Sequence, residues 1–117
     1  MKQSTLALRS QVPMSVDLAR LQKRAGHAAT LLKVMANPNR LIILCQLAEG
    51  EKSVGELESV VGLSQSALSQ HLSVLRLQGV VTTRRSAQSI FYSLAGKEVQ
   101  TIMLALHDVF CAKPGGA

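Results

Sequence analysis

The sequence predicts a mainly helical fold with one β-hairpin, in the order α-α-α-α-β-β-α. Three observations carry that reading. Apolar residues recur three and four apart over residues 16–36 and again over 97–111, the spacing that stacks side chains along one helical face. Between these stretches, Asn37, Ser53 and Ser64 are each a residue type that caps free helix amides. After Gly79 the apolar period drops to two, which marks strands.

The chain has 117 residues, a length that suits one compact domain. Its 47 % hydrophobic and 17 % charged residues are too apolar for a disordered chain. The aromatics are Phe91, Tyr92 and Phe110, so the core is aliphatic and suits packed helices. No run of eighteen apolar residues exists to span a membrane. No apolar stretch follows Lys2 and Arg9 to form a secretory signal. With two cysteines and no export signal, a reducing cytoplasmic location is expected.

Taken in order, residues 1–15 are polar, are interrupted by Pro13, and read as a flexible arm. Residues 16–112 read as the folded domain and 113–117 as a flexible tail. The first helix carries a stripe of Leu18, Leu21, Ala25, Ala28, Leu32 and Met35. Asn37-Pro38 restarts a helix, because proline is tolerated at its first position. This second helix, residues 38–48, is expected to bury Leu41, Ile42, Leu44 and Cys45. Ser53-Val54-Gly55-Glu56 has the form of a capping box and opens a short helix ending before Gly62. Ser64 caps a helix running to Gln78, with Gly79 as its left-handed terminator. Residues 80–84 and 89–93 are strands around a turn at 85–88. The last helix carries Val99, Ile102, Met103, Leu106, Val109 and Phe110 and is ended by Pro114-Gly115-Gly116.

Two short helices about a glycine-containing turn, followed by a basic hairpin, form a winged helix-turn-helix. On the helix after Ser64, Leu68, Leu72 and Leu75 face the core, while Gln65, Ser66, Ser69, Gln70 and Ser73 face away. Short hydroxyls allow close approach to phosphates, and glutamine can make paired bonds to adenine edges. Arg84, Arg85 and Gln88 are expected at the hairpin tip, gripping the backbone or minor groove. The chain carries thirteen Lys and Arg against seven Asp and Glu, and no acidic residue lies between Glu58 and Glu98. A surface cleared of carboxylates admits a polyanion without repulsion. Duplex DNA is therefore the expected partner.

Residues 35–44 (Met-Ala-Asn-Pro-Asn-Arg-Leu-Ile-Ile-Leu), 64–75 and 79–81 together resemble the ArsR/SmtB family of small bacterial repressors. The resemblance spans residues 17–112. It implies a homodimer built from the first and last helices and DNA contacts from Ser64, Gln65, Ser66, Ser69 and Gln70; the expected operator of such a dimer is an imperfect palindrome. Many members of the family bind metal through Cys-x-Cys on the helix before the reading helix. Here that helix reads Glu56-Leu57-Glu58-Ser59-Val60. A second family site on the last helix would need partners that His107 and Asp108 lack. His27 and His107 read as polar residues near a helix interface, and His71 as structural or phosphate-binding. No metal, cofactor or catalytic residue is expected.

Cys45 and Cys111 are the only thiols. Alone, Cys45 within Leu-Ile-Ile-Leu-Cys-Gln-Leu reads as a small core residue, and the sequence does not show that the two sulfurs meet. Residues 40–45 and the ending Val109-Phe110-Cys111 resemble a dithiol subgroup of the same family. That subgroup pairs a second-helix cysteine with a last-helix cysteine and responds to persulfides or oxidants. The resemblance implies that Cys45 and Cys111 are redox-sensing thiols, with reactive sulfur species as inducer. General oxidant sensing, thiophilic-metal sensing and purely structural thiols stay open. A thiol redox enzyme is disfavoured by the absence of Cys-x-x-Cys; a helical adaptor that binds only protein is the third reading, and absence of salt-sensitive DNA binding would favour it.

Overall fold

The computed structural model describes residues 14–111, so the arm and tail readings for 1–13 and 112–117 lie outside the described residues. The elements are α1 (Met14–Met35), α2 (Pro38–Ala48), β1 (Lys52–Ser53), α3 (Val54–Val61), α4 (Gln65–Leu77), β2 (Val81–Ser86), β3 (Ser89–Leu94) and α5 (Gly96–Phe110). Five helices and the hairpin are as the periodicity predicts. Strand β1 is the addition. It pairs antiparallel with β3, Lys52 opposite Tyr92 and Ser53 opposite Phe91, giving a three-stranded sheet in the order β1-β3-β2. Two residues are too few to display a period, so nothing local announces this strand.

The chain divides into two compact units, residues 1–32 and 33–117. In the first, α1 leaves Leu18, Leu21 and Leu32 about half exposed (52 %, 58 % and 54 %), and His27 is exposed too. The predicted stripe is therefore not a buried face in the single chain, except at Met35 in the second unit, which is buried.

In the second unit, the turn after α1 is set by side chains. Asn37 Oδ1 accepts from the Asn39 and Arg40 amides at 3.0 and 3.1 Å. Arg40 Nε donates to the Val34 carbonyl at 2.6 Å, satisfying a helix-end acceptor that α1 cannot pair internally. Helix α2 buries Ile43, Leu44 and Leu47. This corrects the expected set of Leu41, Ile42, Leu44 and Cys45. Only Leu44 of those is fully buried; Leu41 and Cys45 are half-buried and Ile42 is exposed. The reason is helical phase: at about 100° per residue, positions 43, 44 and 47 share a face and Ile42 turns away from it. Four residues in a row are apolar, so composition alone cannot choose the phase.

Helix α3 opens on the predicted capping box, with both Ser53 and Glu56 bonds formed, and ends at Gly62 with φ 72°. Ser64 Oγ accepts from the Ala67 amide at 3.2 Å and starts α4. Leu68, Leu72 and Leu75 of α4 are buried against the core completed by Leu57, Val80, Val81, Tyr92, Leu94, Val99 and Met103. The wing corrects one boundary. Its strands extend to Ser86 and from Ser89, so the turn is Ala87-Gln88 and Arg85 belongs to β2. Ala87 takes φ 55°, the positive value that two-residue hairpin turns demand.

Two stability measurements follow. Asn37→Ala should cost about 1 kcal/mol by urea unfolding, whereas Asn37→Ser should cost far less, because serine also caps. Ala87→Gly should raise stability by up to about 1 kcal/mol, since it removes the Cβ penalty of a left-handed residue. A loss of stability there would show that the turn relaxes by another route.

Candidate functional site

Two sites emerge, one on α4 and the wing and one between α2 and α5. On α4, Gln65, Ser66, Ser69, Gln70 and Ser73 are all exposed, opposite the buried Leu68-Leu72-Leu75 face. Residues 66, 69, 70 and 73 are three and four apart and form one continuous polar row. Ser64 is exposed as well, but its hydroxyl is engaged in capping and lies 3.5 Å from Ser66 Oγ. His71 is half-buried at the edge of the row.

In the wing, Arg85 and Gln88 are exposed near the tip. Arg84 is not at the tip; it lies opposite Phe91, two residue pairs back from the Ser86–Ser89 pair that closes the hairpin. Its Nε and Nη2 donate to both carboxylate oxygens of Glu51 at 2.7 and 2.8 Å, and its guanidinium sits 4.6 Å above the Phe91 ring. The hydrogen bonds from Arg84 hold the Glu51 carboxyl below its ordinary value and raise the arginine. Arg84 is therefore tied to the segment leading into β1, which moves the free cationic charge of the wing onto Arg85. The two residues stand 33 apart, and no sequence signal links them.

The second site joins the two cysteines. Cys45 lies mid-helix on α2 and is half-buried; Cys111 is the exposed C-cap of α5. Packing of α2 against α5 places their sulfurs 3.9 Å apart. This is the juxtaposition that sequence alone left open. Both are free thiols, and the gap is well beyond the 2.05 Å of a disulfide. Burial, and then the hydrogen bond and charge of Cys111, push the Cys45 thiol above its ordinary value. The sulfurs open onto an apolar groove of about 240 Å³ between Leu41 and Ile42 of α2 and Met103, Leu106 and Phe110 of α5.

His107 is the residue that the sequence reading did not connect to the thiols. Its ring nitrogen and both sulfurs lie within 4.8 Å of one another. A usable signal existed: His107 and Cys111 are four apart, so they share a face of one helix. Its relevance became visible only once α2 supplied Cys45. No described helix is long and apolar enough to cross a membrane.

Comparison with known proteins places this geometry in context. A family model described as "Bacterial regulatory protein, arsR family" matches residues 37–83. The "Transcriptional activator HlyU" of Vibrio cholerae is 50 % identical over 96 residues, covering 82 % of this chain and 89 % of that one. The "Biofilm growth-associated repressor" of Xylella fastidiosa is 47 % identical over 93 residues, covering 80 % and 82 %. Reduced HlyU from Vibrio cholerae superposes with a TM-score of 0.76 at 50 % identity, over 80 % of this chain and 98 % of that structure. The transcriptional repressor BigR from Xylella fastidiosa does so with a TM-score of 0.74 at 46 % identity, over 81 % and 97 %. These relatives are regulators of transcription, not enzymes. The chain belongs to the arsR family of bacterial regulatory proteins and is a DNA-binding transcriptional regulator with a winged helix-turn-helix fold.

Proposed function

We propose that this protein is a homodimeric repressor that leaves its operator when Cys45 and Cys111 become bridged by sulfur from a persulfide or polysulfide. The observation that carries the reading is the 3.9 Å separation of two free thiols on different helices. Repression rather than activation is favoured by the name of the Xylella fastidiosa relative, although the Vibrio cholerae relative is named an activator. Dimerisation through the first and last helices is supported by the apolar residues left exposed there. These are Leu18, Leu21 and Leu32 on α1 and Val109 (72 %) and Phe110 (78 %) on α5, a set unusual on a soluble monomer.

In the dimer, each α4 would lie in a major groove, with Gln65, Ser66, Ser69 and Gln70 toward base edges and Ser64 and Arg85 toward phosphate. The two half-sites of an imperfect palindrome would sit about one helical turn, or a multiple of it, apart. Gln88 at the wing tip would follow the adjacent minor groove. Arg84 would act mainly by holding the wing in place through Glu51.

The sulfur step balances as follows. The exposed Cys111 thiolate attacks the sulfane sulfur of R–S–SH, giving Cys111–S–SH and releasing RS⁻. Cys45 as thiolate then attacks the Cys111 sulfur and displaces HS⁻. The two cysteines are oxidised to a disulfide, while the sulfane sulfur is reduced to hydrogen sulfide. With a second equivalent of R–S–SH, a trisulfide forms with two RSH and one H₂S as products. A direct disulfide needs the sulfurs to close by about 1.9 Å, through side-chain rotation together with a shift of α5 on α2, and that shift is the part that would reach the rest of the fold. Taking a regulator from 1:99 to 99:1 between two conformers requires about 5.5 kcal/mol, and a covalent tie can supply it.

Reduced protein should therefore bind its operator, and protein treated with polysulfide should release it. Cys45→Ser and Cys111→Ser should each still bind and no longer respond, as read by gel shift with tryptic mass spectrometry. A double serine variant that still lets go on persulfide treatment would sink the dithiol model. Iodoacetamide should label Cys111 before Cys45, and Cys45 labelling should accelerate as pH rises past the ordinary thiol value of 9.0, because its thiolate forms late.

For DNA reading, Gln65→Ala or Gln70→Ala should lose about 1–3 kcal/mol of discrimination at one base position. Arg85→Ala should weaken all sequences alike and lower the salt slope by about one. If Arg85→Ala changed base preference while the glutamine variants did not, the reading head would be the wing.

A further inference from the structure

We propose that Cys45, His107 and Cys111 form a binding site for a thiophilic d¹⁰ cation, with Zn(II) the best fit. This goes beyond the sulfur-bridge reading and does not depend on it. Four-coordinate zinc with metal–sulfur bonds of about 2.3 Å separates two thiolates by about 3.8 Å. The sulfurs of Cys45 and Cys111 are 3.9 Å apart, so the two-sulfur edge of the tetrahedron is already set. That distance is too long for a disulfide, but it needs almost no movement to chelate a metal.

His107 supplies the third donor. It precedes Cys111 by one helical turn, so α5 presents imidazole and thiolate on one face. The three donor atoms lie within 4.8 Å of one another, and a side-chain adjustment at half-buried His107 brings its nitrogen to the roughly 2.0–2.1 Å that zinc requires. Two soft thiolates and an imidazole select zinc or copper(I) and reject magnesium and calcium, which want oxygen. Zinc, indifferent to redox state and content with a tetrahedron, matches the S₂N set. The three residues line the groove between α2 and α5, which leaves room for water or an added thiol as a fourth ligand.

Binding releases the two thiol protons to solvent and changes no oxidation state. Since the cation and the sulfur bridge use the same two sulfurs, occupancy by one excludes the other. The site sits between α2 and α5, whereas the helix before the reading helix carries no thiol.

The test uses the reduced full-length protein, without oxygen, and Co(II) as the spectroscopic probe. One equivalent per chain should produce thiolate-to-cobalt charge transfer in the near ultraviolet and the intense visible bands of a four-coordinate ion. Zn(II) should displace it stoichiometrically. His107→Ala should weaken cobalt and zinc binding at least about tenfold and lower the visible band intensity. His107→Gln serves as a second variant in case the alanine change disturbs α5. Both variants should still be cross-linked between Cys45 and Cys111 by a short bifunctional thiol reagent such as dibromobimane, which shows that the sulfurs remain together. No charge transfer in the wild-type protein overturns the site. Unchanged affinity and spectrum in both His107 variants, with cross-linking intact, removes the imidazole and overturns the three-donor proposal.

Discussion

The burial of one face of α2 is the constraint on which the second unit depends. Ile43 and Leu44 are fully inaccessible and Leu47 nearly so, each contributing roughly 1.5–3 kcal/mol on removal from water. Around that face pack α3, α4, β3 and α5. Asn37 and Arg40 fix where the helix begins. Once α2 is seated, α4 has a single apolar row with which to dock, and its serine and glutamine row is forced outward. That outward polar row is thus a consequence of core packing on its reverse side.

The same helix carries Cys45 on its flank, beside the buried face and toward α5. The helix that seats α4 is therefore also the helix that a sulfur bridge would pull. In the proposed switch, tying Cys45 to Cys111 acts on α2 directly and needs no separate relay. Half-burial of Cys45 suits that role. It keeps the sulfur close to α5 and its thiolate scarce, while exposed Cys111 meets the reagent. A fully buried Cys45 could not be reached, and a fully exposed one would not hold α5 at a defined distance. The groove around the pair is apolar, and the Glu49 carboxylate at the end of α2 adds its charge to the causes that raise the Cys45 thiol.

The wing obeys a different rule. Adjacent residues on a strand point to opposite faces, so Arg84 and Arg85 cannot share a task. Arg84 turns toward Glu51 and lies over Phe91, while Arg85 remains exposed. The carboxylate that might have repelled DNA is thereby neutralised by a cation. That pairing, together with β1, connects the hairpin to the segment entering α3. The wing is anchored at its base and left open at its tip.

What the sequence determined by itself was set by interactions within about four residues. The caps at Asn37, Ser53 and Ser64, the stop at Gly79 and the 3.6-residue rows of α4 all follow from neighbours along the chain. They place five helices, a hairpin and an outward polar row without reference to anything distant. Resemblance to a family added the identity of the two thiols as a pair. Tertiary structure decided whatever depends on partners far apart in the chain. The pairing of β1 with β3, the capture of Arg84 by Glu51 and the choice of Ile43 over Ile42 for the core each require a surface that exists only after folding. So does the meeting of Cys45 with His107 and Cys111. Their separation of 3.9 Å between sulfurs is a property of how α2 packs on α5, and no local rule of spacing contains it.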